Sequence, residues 1–371
     1  MSVTGAMKVR GLRVGLGAFA MILVAGAGAC LAGRAVAAAW LGAAFFATGL
    51  VLGGSAMLMV AHLTGGRWAR SIMSYLESLA AGTPLLLALW IPLAIRAGAL
   101  YPWANSGDAG PHGYYAPAFV VARSVICLAT WVIGGPLIAS VSARDRSRDR
   151  VRPGLRAASA IGLIVLAITM TSVSYDWSVA MHPKWASTMF PLIVLVSQAL
   201  TAFGAAVGMY AWDHRVRGEP FPETPVLRDL GNILLTLVIL HAYVHFSQFF
   251  IIWNGNVPER TSWYEPRVRG WWGLAIVLLV TFQFALPLAL LLFRAFKASN
   301  RAMTALGTLL VVDGALEMCW LMIPGAQVEP RIAALWAIPI AAILAVAVWL
   351  CARGPQRPRI ASRARNREVR A

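Results

Sequence analysis

Ten continuous apolar stretches, each about twenty residues long, constrain this chain more than any other feature it carries. About twenty residues is the length a helix needs to cross the hydrocarbon of a bilayer. Backbone in lipid must satisfy its own hydrogen bonds, which leaves helices and closed barrels. Barrel strands alternate apolar and polar positions over roughly ten residues, and these runs do not alternate. They cover 14–33, 38–61, 74–95, 117–139, 157–175, 187–210, 230–253, 272–293, 303–323 and 332–351. Of the 371 residues, 59% are hydrophobic and 13% charged, with a mean hydropathy of +0.69. A soluble domain carries roughly 25% charged residues, and no soluble core could bury this much apolar surface. The expected fold class is therefore an all-α polytopic membrane protein of ten transmembrane helices. Residues 1–352 make the membrane domain, with halves 14–175 and 187–351. Residues 353–371 make a basic tail, expected to be disordered and to lie on anionic headgroups.

The formal charge of +17 does not point to nucleic acid, because its basic residues sit in short clusters between the apolar runs. Alternate loops carry 24 and 7 of the lysines and arginines outside the runs, Arg34 counted among the 7. Basic residues favour the cytoplasmic side, so both termini are expected there, in a bacterial cytoplasmic (inner) membrane. The N-terminus, with Lys8, Arg10 and Arg13 before an apolar stretch, has the outline of a signal peptide. The stretch is long and Ala27-Gly28-Ala29-Cys30 is a poor lipobox, so an uncleaved first helix is expected. The opposite face has longer loops, 96–116, 176–186 and 254–271, rich in aromatics such as Tyr101, Trp103, Trp177, Trp185, Trp263 and Trp271. An interfacial belt accounts for part of these; partner docking is the competing reading.

Cys30, Cys127, Cys319 and Cys351 lie far apart, with no CxxC, CxxCH or Cys/His metal spacing. The chain is expected to bind no iron–sulfur cluster, covalent haem or metal, and its cysteines to be small buried apolar residues. No P-loop, strand-borne GxGxxG or HExxH is present, so soluble nucleotide and zinc-peptidase chemistry find no support.

Ionisable residues inside membranes are costly and mark functional sites. His241 and His245 stand four apart on the seventh run, and Asp313 and Glu317 four apart on the ninth, hence each pair on one helical face. His241 lies about 11 residues from Leu230 and Asp313 about 10 from Met303, both roughly 15–17 Å deep at 1.5 Å per residue. Ser247, Gln248 and Gln283 could extend this polar line. Three readings compete. Histidine with a carboxylate can relay protons near neutral pH. Haem b needs histidines on two facing helices, and these share one. Mutually satisfied groups can also simply hold helices together. Glu77 and Arg123 read as single charges at different depths, and His62 as a cap of the second helix.

The chain becomes recognisable at 174–190, which begins Ser174-Tyr175-Asp176-Trp177 and includes Met181-His182-Pro183-Lys184-Trp185. Arg228-Asp229-Leu230-Gly231-Asn232 and the stretch 243–264 from Tyr243-Val244-His245 to Ser262-Trp263-Tyr264 add to it. His62-Leu63-Thr64-Gly65-Gly66 and Leu100-Tyr101-Pro102-Trp103 fit the same pattern. On these residues the chain resembles the F subunit of alternative complex III, a bacterial quinol:cytochrome c oxidoreductase, and more widely the polysulfide-reductase-like membrane subunits. The resemblance implies two four-helix bundles, spans two to five and six to nine, flanked by spans one and ten. It implies a non-catalytic role, structural and proton-translocating, with His241, His245, Asp313 and Glu317 as the proton pathway inside one bundle. Quinol, haem c and iron–sulfur clusters would belong to partners: a paralogous quinol-binding membrane subunit, an iron–sulfur subunit and multihaem cytochromes c. Two positions depart from the family: His241 stands where an aromatic is expected, and Asn232 where lysine is common.

Two other functions remain open on the sequence. A quinol-oxidising anchor of the polysulfide-reductase type would need a quinone pocket near the outer face, lined by Asp176, His182 or Arg123. A stand-alone proton-coupled transporter would carry inverted repeats with matched broken helices at the midplane, and no matched pair interrupted by Gly or Pro is visible.

Overall fold

The computed structural model describes residues 17–29, 31–101, 103–106, 113–146, 148, 151–182, 185–217, 224–329 and seven positions between 331 and 341. Among the described residues there is no strand. Among these described residues, eight helices are long and apolar enough to cross a membrane: α2 (Arg34–Thr64), α3 (Gly66–Ile95), α4 (Pro117–Asp145), α5 (Pro153–Met181), α6 (Met189–Val216), α7 (Pro225–Gly255), α8 (Gly270–Leu292) and α9 (Asn300–Ala326). A shorter apolar helix, α1 (Gly17–Ala29), precedes them. The chain is an all-α polytopic membrane protein, and α2–α9 match the second to ninth apolar runs. The tenth run is described only at scattered helical positions; the basic tail, Cys30 and Cys351 lie outside the described residues.

Local chemistry sets the helix ends. Pro117 and Pro153 open α4 and α5 at the first helical turn, where a missing N–H costs nothing. Ser299 caps α9 by accepting from the Ala302 N–H. Gly65 turns α2 directly into α3 with φ +65°, a conformation that favours glycine. Thus Arg67 and Arg70 belong to the first turns of α3, which starts eight residues before the apolar run. A turn at 82–84, ending in Pro84, then interrupts α3, and a π-helical segment at Val280–Ala285 interrupts α8.

Burial sorts the helices into two classes. In the most apolar window of each, 94% of α2 is buried but only 22% of α7 and of α8. α2, α6 and α9 form the centre; α4, α5, α7 and α8 present their outer faces to lipid, with exposed residues such as Ile133, Leu137, Ile161 and Phe250. α2 packs on α3, α5, α6 and α9, and α6 packs on α7 and α9. Small residues permit the closest approaches, as is usual between helices in lipid. Gly53 lies on the Gln198 carbonyl, and Gly307 on the backbone of Gly204 and Gly208.

Several aromatics of the less basic loops are core residues rather than a belt. Tyr101, Trp103, Trp177, Trp185 and Trp263 are buried, whereas Trp253 and Trp271 are exposed. The Tyr101 hydroxyl donates to the Trp177 carbonyl (2.8 Å), and Trp185 stacks on Trp263 at 4.9 Å. Cys127 and Cys319 are buried free thiols, as expected.

Candidate functional site

The four helices α6 to α9 converge on one carboxylate. Glu317, near the C-terminal third of α9, is buried, and its Oε1 accepts from three side chains. These are His241 Nε2 (2.8 Å), His245 Nε2 (2.7 Å) and the Ser197 hydroxyl of α6 (2.5 Å). Gln283 Nε2 donates to Oε2 at 2.7 Å. Spacing four apart on α7 places the two imidazoles together, 4.5 Å between ring centres. The π turn of α8 contains Gln283, whose side chain is buried; such turns recur at functional sites because they re-aim one side chain. A deprotonated carboxyl offers only acceptors, so both histidines carry a proton on Nε2 in this arrangement. Each imidazole then has a second nitrogen through which a proton can arrive. His241 Nδ1 is buried with no hydrogen-bond partner among the described residues.

The cluster floors a groove of about 670 Å³ between α7 and α8, walled by apolar residues such as Ile239, Phe246, Phe249 and Ile276. A low-polarity surrounding strengthens polar contacts, and these walls offer almost no polar atoms to the floor. The three ligand atoms of His241, His245 and Glu317 lie within 4.8 Å of one another, the composition of a transition-metal site.

Of the four sequence-predicted relay residues the structure joins three. Asp313 is buried one helical turn from Glu317, outside the hydrogen-bonded set, and its Oδ2 has no hydrogen-bond partner among the described residues. The histidines thus meet Glu317 rather than Asp313, the residue whose depth was matched to His241. Gln283 extends the polar line as expected. Gln248 does not: its Oε1 accepts from the Ser187 hydroxyl (3.0 Å) at the start of α6. At the basic end of α7, Lys297 Nζ donates to Asn232 Oδ1 at 2.6 Å. An ammonium group therefore does stand at the Asn232 position, supplied from the α8–α9 connection.

Of the alternative quinone set, the structure joins Arg123 to Asp176 and places His182 against another helix end. Arg123 and Asp176 form a two-pronged pair, Nε to Oδ2 at 3.0 Å and Nη2 to Oδ1 at 2.6 Å, with the guanidinium over the Tyr114 ring at 3.9 Å. His182 sits against Gly325 at the end of α9. Burial, with a smaller contribution from Arg267, lowers its pKa to about 4. Arg267 is itself buried, donates to the Trp263 and Leu321 carbonyls (2.7 Å each), and is lowered to about 9 by that burial.

Glu77 and Arg123 are not single charges, and His62 is not a cap. Glu77 accepts from the Ser142 hydroxyl (2.7 Å) and pairs with Arg146. His62 is buried between Ser142 and Ser159, 2.8 Å from each hydroxyl. These partners come from α4, α5 and the turn after α4, so no local pattern in the sequence announces them.

No protein-family model and no curated protein matches this chain. Function must therefore be argued from the site and from the sequence resemblance.

Proposed function

We propose that this chain is an integral membrane subunit of a bacterial respiratory quinol:electron-acceptor oxidoreductase, related to alternative complex III, in which it conducts protons and anchors its partners. On this reading the chain has ten spans, with α2–α5 and α6–α9 as two four-helix bundles, both termini in the cytoplasm and the inner membrane as its site. Packing of α2 on α3 and α5, and of α6 on α7 and α9, supports the bundles.

The observation that carries the proton role is the buried Glu317 carboxylate held by two imidazole Nε2–H groups. A proton taken up at His241 Nδ1 displaces the Nε2 proton onto Glu317, and His245 offers the same exchange toward the groove. Asp313, one turn nearer the basic end of α9, supplies the next acceptor through an intervening water or a side-chain swing. The chain binds no cofactor of its own; quinol, haem c and iron–sulfur clusters belong to the paralogous membrane subunit, the multihaem cytochromes and the iron–sulfur subunit. The mutual pairing of Arg123 and Asp176 favours this reading over a quinol-oxidising anchor, because the two charges offset each other and only Arg123 Nη1 is left without a hydrogen-bond partner among the described residues.

Affinity purification of the tagged full chain from its native membrane tests the assignment. Co-purification of a c-type cytochrome and an iron–sulfur protein in fixed ratio is expected. A chain that purifies alone, from membranes solubilised mildly enough to keep other respiratory complexes whole, contradicts it.

A further inference from the structure

Two cavities on the α4–α5 side share a rim and touch none of the residues around Glu317. The first, about 800 Å³, opens where the α2–α3 and α4–α5 connections meet, and Arg70, Arg146, Arg148, Arg152 and Arg156 line it. The second, about 700 Å³, is an apolar groove between α4 and α5, walled by residues such as Leu137, Ile138 and Val165. Arg152, Pro153 and Leu155 line both, so the groove continues into the basic pocket.

Charge and length together say what fits. Asp145 Oδ1 forms ion pairs with Arg148 Nε (3.0 Å) and Arg152 Nε (2.8 Å), Glu77 pairs with Arg146, and Arg156 donates to the Leu63 carbonyl (3.0 Å). Among the described residues, five guanidinium groups against two carboxylates leave three positive charges in excess. Each of these contacts uses only part of a five-donor guanidinium, and the side chains of Arg148 and Arg152 are 58% and 47% exposed. The groove follows α4 from Val141 to Thr130, roughly 16 Å at 1.5 Å per residue. That is about half of a hydrocarbon core of about 30 Å, the depth of one leaflet. Basic pockets between helices at a membrane edge bind lipid phosphates.

We propose that this composite pocket binds one anionic phospholipid, with its phosphate on the arginines and an acyl chain in the α4–α5 groove. A headgroup without a compensating cation, such as phosphatidylglycerol, suits the excess charge; a choline would meet the same arginines with the wrong sign.

Native mass spectrometry of the delipidated full chain, titrated with phosphatidylglycerol or phosphatidylcholine, tests this. Phosphatidylglycerol should bind one per chain and about tenfold tighter than phosphatidylcholine. Arg70→Gln with Arg148→Gln should weaken it about 25-fold, at about fivefold per arginine. If Arg148→Gln loosens the α4–α5 connection, Arg70→Gln alone should still show its fivefold loss. Gly134→Leu tests the groove, because a Cβ there meets open space and clashes with nothing. It should weaken phosphatidylglycerol without changing the thermal midpoint. Equal binding of both lipids, or no loss in Arg70→Gln, overturns the proposal. So does unchanged lipid affinity in Gly134→Leu while inorganic phosphate competes, which would leave a phosphate pocket with no lipid tail.

Discussion

Glu317 is buried yet surrounded by four donors from three other helices, which is what makes a carboxyl group tolerable at that depth. The sequence carried much of this. Histidines four apart and carboxyls four apart, in otherwise apolar helices, mark their own faces. Depth went astray because the helices start earlier than the apolar runs. Counted from Pro225 and Asn300, His241 lies 16 residues along α7 and Glu317 17 residues along α9, whereas Asp313 lies 13. Ser197 was not legible, since a serine inside an apolar run is common and can bond to its own helix. Outside the spans, His182 gives a prediction in pH. Its folded-state pKa of about 4 lies below the ordinary value of about 6.5, so the unfolded chain binds a proton first as pH falls. Stability from the neutral imidazole is complete above about pH 6.5 and is lost toward pH 4. The thermal midpoint of the purified chain should fall between pH 7 and 4.5, and His182→Asn should flatten part of that fall. An equally steep fall in the variant would remove His182 from the account.

At the scale of elements, hydrophobic length located α2 to α9, because lipid imposes the same twenty-residue requirement on each. The first turns of α3 escaped, since Arg67 and Arg70 read as loop although they extend the helix into the interface. The π turn of α8 escaped too, as no proline or glycine lies within Val280–Ala285. Close helix crossings are the most vulnerable feature. A Cβ at Gly307 would meet the Gly204 carbonyl oxygen at 2.6 Å and Gly208 Cα at 2.7 Å, both rigid backbone. Gly307→Leu should therefore part α6 from α9, costing about 1–3 kcal/mol or more by overpacking, and pull Ser197 from Glu317. Thermal unfolding in detergent checks this: a clear drop in midpoint is expected, and a wild-type midpoint would show that the crossing is looser than described.

For the whole molecule, the proposed orientation rests on the charge asymmetry of 24 to 7 between alternate loops, since basic loops resist translocation. A reporter active only in the cytoplasm should work when fused after Arg353 and stay silent when fused near Gly255; the reverse pattern would invert the topology. Inside that frame, the proposed proton role rests on His241, His245 and Glu317, a buried histidine–carboxylate set that can hold and pass a proton where apolar packing cannot. The direct test is the number of protons translocated per electron by the reconstituted complex carrying Glu317→Gln and Asp313→Asn. Both amides keep the shape but cannot carry a proton at accessible cost, and Glu317→Gln keeps one acceptor oxygen while the Gln283 amide must turn to accept from the new NH2. A lowered ratio with intact assembly and retained quinol oxidation is the predicted result, and an unchanged ratio in the double variant would contradict the relay and leave these residues as helix packing.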